Sequence, residues 1–93
     1  MKNIKEYTRD DFLGFWRTKD AKITFYLNTK ANLVLPAKQI DGDFIVNYVP
    51  SCGSCTNCLK IEINNNIFYV KQISDLGFYL TIEDAEVLLT KVY

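Results

Sequence analysis

The segment Ser51-Cys52-Gly53-Ser54-Cys55-Thr56-Asn57-Cys58 gathers all three cysteines of a 93-residue chain within seven positions. Cys-x-x-Cys spacing lets two thiolates converge on one metal across a tight turn, and Gly53 and Asn57 are residues that help a backbone bend. The chain has no histidine. A zinc site on Cys52, Cys55 and Cys58 would therefore take its fourth ligand from Asp, Glu, water or a cysteine of a second chain. Iron–sulfur ligation fits less well, because the fourth cysteine and the proline after it are missing. A dithiol redox site resembling Cys52-Gly53-Ser54-Cys55 needs a helix at its first cysteine, whose dipole lowers the thiol pKa. Here residues 59–63 alternate as a strand and leave no room for one. The plain alternative is a long hairpin loop with free thiols, some buried as small hydrophobes.

Other reactive constellations are sparse. Without histidine the commonest general base is missing. Carboxylates cluster at Asp10-Asp11, Asp41/Asp43 and Glu83-Asp84. The first and third fall at expected helix starts, where acidic residues suit the dipole, and the second flanks a turn. No phosphate-cradling Gly-rich loop, nucleophile elbow or zinc-protease helix motif occurs. A domain this small also rarely encloses a pocket of several hundred Å³. The expectation is a protein that is not an enzyme.

A second pattern is the dipeptide Phe-Tyr, present at Phe25-Tyr26, Phe68-Tyr69 and Phe78-Tyr79. Successive strand residues point to opposite faces, so if the phenylalanines build a core, Tyr26, Tyr69 and Tyr79 point the other way, with Lys71 among their companions. Tyrosine supplies large contact area at low entropic cost and is enriched at interfaces. Tyr26, Tyr69, Tyr79 and Lys71 are thus candidate partner-binding residues. The alternative is that a terminal helix covers this second face. A base-stacking platform also uses aromatics on strands, but it needs surrounding positive charge, and eleven basic residues against eleven acidic give a net charge of zero.

The elements that position these residues follow from periodicity. Thr8 and Asp11 form a capping-box-like pair, and Phe12, Phe15 and Trp16 fall at helical spacing, which predicts a helix over 9–19. Period-two alternation then predicts strands over 23–27, 33–35, 44–49, 59–63, 67–73 and 78–82. Asn64-Asn65-Asn66 reads as a turn, since Asn tolerates the left-handed conformation. Thr81 and Asp84 cap a closing helix with Ala85, Leu88, Leu89 and Val92 as its apolar stripe. The fold class expected is α+β, a mainly antiparallel five- or six-stranded sheet flanked by an N-terminal and a C-terminal helix, in a single domain over 1–93.

Composition sets the remaining bounds. At 48% hydrophobic and 24% charged, with four Gly and two Pro, the chain has a globular composition. No secretory apolar run, lipidation signature or stretch of about eighteen apolar residues appears, so the expectation is a cytoplasmic protein without membrane contact. The odd, clustered cysteine count agrees with a reducing compartment. The reading reached is a small binding or inhibitor-type protein acting through contact with another protein, a profile shared by adaptors carried on mobile elements. The alternatives are a zinc-binding cysteine-loop module and a thiol redox protein. A homodimer joined at edges 33–35 or 78–82 is a further expectation.

Overall fold

Apolar residues alternate with polar ones along most of the chain, and each alternating run becomes a strand. The computed structural model describes residues 4–51, 56–82 and 84–92. Its strands are β1 (Gly14–Arg17), β2 (Lys22–Phe25), β3 (Lys30–Val34), β4 (Gln39–Ser51), β5 (Thr56–Ile63), β6 (Asn66–Ile73), β7 (Gly77–Ile82) and β8 (Ala85–Lys91). Each pairs antiparallel with the next, and β8 returns to pair with β1, closing an eight-stranded up-and-down barrel. The short turns between strands permit only this antiparallel neighbour pairing.

The α+β expectation is therefore corrected: the two terminal segments read as helices are strands. At the N-terminus the cap is real, because the Thr8 N–H donates to the Asp11 carboxylate at 2.8 Å and the Asp11 N–H donates to the Thr8 carbonyl at 3.0 Å. It starts only the 3₁₀ turn Arg9–Phe12. Leu13 is extended (ψ 139°) and Gly14 has φ 125°, and neither conformation continues a helix. Phe12 and Trp16 both reach the core, one from the turn and one as an inward residue of β1. Their i, i+4 spacing therefore matched a helix without requiring one.

At the C-terminus, Asp84 at φ 66° forms part of the tight turn that places Ala85 opposite Ile82. Val87 and Leu89 then pack toward the interior while Leu88 points outward. Only a strand can lie between β7 and β1 and satisfy the backbone groups of both, which overrides the helical stripe. Leu27, expected to end a strand inside the core, instead sits in the 26–29 loop and is exposed. Strands β3 and β7, expected to offer free edges, are each paired on both sides. Neither can carry the dimer contact expected of it.

Inward residues of all eight strands fill the barrel. Trp16 and Phe78 stack edge-to-face at 4.7 Å, Phe12 and Phe78 at 5.1 Å, and Phe25 lies 4.7 Å from Phe44. The N-terminal segment closes one end. Its first 3₁₀ turn, Ile4–Glu6, packs on β5, Phe12 inserts between Phe25 and Phe78, and the Trp16 indole N–H donates to the Phe12 carbonyl at 2.9 Å. Eight strands leave an interior just wide enough for side chains or for one small ligand, and here side chains occupy it. Charged residues stand on the outside, among them Lys22, Asp43, Lys60 and Glu86, around an apolar interior. A membrane-spanning barrel has the reverse arrangement.

Two strands, β4 and β7, carry glycines where a side chain would not fit. The thirteen-residue β4 pairs with β3 over Gln39 to Asp43 and with β5 over Phe44 to Ser51, so it changes partner partway along. It bends there at Gly42, whose φ is 147° and whose missing Cβ would stand 2.9 Å from the Asn64 Cβ. In β7, a Cβ on Gly77 would fall 1.9 Å from the Leu89 carbonyl oxygen, so only glycine lets β7 and β8 approach so closely.

Candidate functional site

With the interior full, contact with other molecules falls to the outer surface. The phenylalanines of all three Phe-Tyr pairs are buried and their tyrosines point outward, as alternation requires. Closure of the sheet then separates the tyrosines. Tyr26 follows β2, whereas Tyr69 and Tyr79 lie on β6 and β7, and β6 stands four strands from β2 in a ring of eight. The structure brings Tyr69 and Tyr79 to one side and leaves Tyr26 on the other.

On the Tyr69 side, cross-strand neighbours pave the surface. Tyr69 lies opposite Lys60 and Thr81, and Tyr79 lies opposite Gln72 and Leu88, so both rings are half-buried. Lys71 occupies the register shift between Val70 and Gln72 and is exposed. It stands close enough to act on the Cys58 thiol.

Tyr26 has a different setting. It is 49% exposed, and the next residue, Leu27, is 87% exposed. The loop that presents them is tied down. The Tyr26 N–H donates to the Lys30 carbonyl at 2.8 Å, the Thr29 N–H donates to the Tyr26 carbonyl at 3.3 Å, and the Asn28 Oδ1 accepts from the Lys30 N–H at 3.2 Å. Thr29 takes φ 69° to complete the turn. On one side of the Tyr26 ring lies a groove of about 520 Å³ lined by Leu13, Phe15, Thr24, Tyr26 and Leu27. On the other lies a hollow of about 310 Å³ reaching to Lys30, Asn32 and Asp41. The Lys30 ammonium sits 2.8 Å from the Asp43 carboxylate and holds that carboxyl below its ordinary range. Tyr26 is thus a ridge between an apolar groove and a polar hollow.

Sequence reasoning found Tyr26 but missed Leu13, Phe15 and Leu27. By spacing alone Phe15 fits a helical core stripe and Leu27 a strand core. The available signal was Asn28-Thr29 directly after Leu27, which moves that leucine from the strand into its turn.

The cysteine loop divides. Cys52 and Cys55 lie outside the described residues. Cys58 is fully buried on β5 opposite Val49, and burial pushes its thiol above the ordinary value, with the nearby Lys71 charge acting against that shift. Among the described residues no three His, Cys, Asp or Glu side chains group closely enough to hold a metal ion. Of the three expected zinc ligands, Cys58 is the one among the described residues, and it is buried on β5.

No family model matches the chain, and no curated protein or solved structure is detectably similar to it.

Proposed function

We propose that this is a small non-enzymatic binding protein that acts through protein–protein contact, with the groove beside Tyr26 as the contact surface. One observation carries the reading: Tyr26 and Leu27 stand exposed on a hydrogen-bonded loop over an apolar groove, while the barrel interior is filled by its own side chains. Exposed apolar groups beside a pocket on a rigid scaffold are the usual anchors of a protein interface. The lining of Leu13, Phe15, Thr24, Tyr26 and Leu27 supplies contact area and one aromatic hydroxyl rather than acid–base chemistry. A groove of this size accepts one or two apolar side chains of a partner segment. Tyr69, Tyr79 and Lys71 belong to a separate surface and are not part of this contact.

Selection of a random peptide phage library on the purified protein tests the reading. Peptides rich in large apolar residues should emerge, and Tyr26→Ala and Leu27→Ser should each weaken their binding at least about tenfold, while Tyr79→Ala leaves it unchanged. Peptides that bind the Tyr26→Ala and Leu27→Ser variants as tightly as the original chain would refute it.

A further inference from the structure

Closing a sheet normally leaves no strand edge, but the partner change in β4 opens one. Beyond Asp43, β3 has ended, so the β4 segment from Ile45 onward is paired only on its β5 side. Two hydrogen bonds fix the backbone directions. The Asp43 carbonyl accepts from Asn64 N–H at 3.2 Å on the β5 side, and the Phe44 N–H donates to the Thr29 carbonyl at 2.9 Å on the β3 side. Alternation then turns the N–H and C=O of Val46 and Tyr48 toward the open side. The β5–β6 turn agrees. With Asn64 and Asn65 both at positive φ, Ile63 and Asn66 form the hydrogen-bonded pair, so Glu62 and Lys60 bond toward Ile45 and Asn47. Among the described residues, β3 and β5 are the strands that pair with β4, and β3 does so only over Gln39 to Asp43.

This edge carries no charge to protect it, and its one proline, Pro50, stands at its far end. Residues 44–51 read Phe-Ile-Val-Asn-Tyr-Val-Pro-Ser, without a charge and rich in β-branched and aromatic side chains. Ile45 is 51% exposed, and Asn47 and Tyr48 are exposed.

We propose that the open edge of β4 pairs antiparallel with the same edge of a second copy of this chain, about a two-fold axis at Asn47. The sequence is self-complementary in this register. Val46 faces Tyr48 of the partner subunit and Tyr48 faces Val46 of the partner subunit, so all four open N–H groups and their carbonyls are satisfied. The ladder ends one pair further on, because Pro50 has no N–H and the Phe44 N–H is already bonded. On the outer face Ile45 meets Val49 of the partner subunit on either side of a central Asn47 pair. The absence of charge means that a two-fold contact brings no like charges together, and the pairing closes at two copies. This surface is separate from the groove beside Tyr26.

Sedimentation equilibrium across a concentration series, with Asn47→Lys and Asn47→Glu as variants, tests the proposal. Both place like charges across the axis at an exposed position, and each should weaken the dimer at least roughly a hundredfold with the circular dichroism spectrum unchanged. In a Cys52→Ser/Cys55→Ser background, Asn47→Cys should form a disulfide-linked dimer under mild oxidation, since directly opposed residues of a non-hydrogen-bonded pair have Cα atoms about 4.5 Å apart. Glu62→Cys, one strand away, should not. A chain that stays monomeric up to ~1 mM overturns the proposal. So does a dimer indifferent to both charges, or one in which Asn47→Cys cross-links no faster than Glu62→Cys. An edge that instead receives an extended segment of another protein would give the first of these results.

Discussion

Phe25-Tyr26 and Phe78-Tyr79 are the same dipeptide in the same barrel, yet their tyrosines have different surroundings. Both phenylalanines are core and both tyrosines point outward. Tyr79 lies mid-strand between Gln72 and Leu88 and is half-buried there. Tyr26 lies where β2 ends and a turn begins, so it has a groove on one side and a hollow on the other. Alternation decides whether a side chain is inside or outside, and position along the strand decides whether an outside one is available to a partner.

The largest expected effect sharpens what the two flanks share. Phe25→Ala and Phe78→Ala should each cost ~3–5 kcal/mol in denaturant unfolding, because both rings fill one aromatic cluster. A cost much below this on one flank alone would mean that the two flanks do not share a core. The next prediction separates the flanks. Tyr79→Ala should lower stability by up to about 1 kcal/mol through its cross-strand neighbours. Tyr26→Ala should stay within about 0.5 kcal/mol of the original chain while losing peptide binding. The reverse assignment would break the comparison.

Titration contrasts the flanks on a smaller scale. Burial raises the Cys58 thiol from its ordinary 9.0, so above that pH the unfolded chain releases a proton that the folded chain retains. Stability should therefore fall as pH rises past about 9, and less so in Cys58→Ala, as read by urea unfolding at two pH values. On the Tyr26 flank, Lys30 lowers the Asp43 carboxyl, so its contribution is present above the ordinary carboxyl value of 3.8 and is lost as pH falls below it. In Lys30→Gln the Asp43 titration followed by NMR should move up toward 3.8, with a barely measurable change in stability, because the pair is exposed.

Much of the strand content was legible because period two is a local signal. The alternating runs 44–49, 59–63, 67–73 and 78–82 lie within β4 to β7, and the Asn64-Asn65 turn has the positive φ its residues invite. The terminal strands were not legible, for two reasons. Phe12 and Trp16 satisfy helical spacing by coincidence of a turn and a strand, and the deciding conformation sits at Gly14, a residue that does not announce its φ. The 85–91 segment is strand because β7 and β1 leave a gap of that width, a fact that no local window contains. The same non-local closure divided the candidate site: three outward tyrosines share a face on a flat sheet, and on a ring they do not.

The ring also has an order of assembly. Every strand pair except one joins neighbours in sequence across a short turn, and such contacts form with little loss of chain entropy. The exception, β1 with β8, joins Trp16 to Lys91 and Arg17 to Thr90 through the shortest ladder among the described residues. The meander can therefore form progressively, while the join between its first and last strands must wait for the rest. That seam, formed late and held by few bonds, is where the barrel would first breathe open, and amide exchange at Arg17 and Thr90 should outpace that of β5.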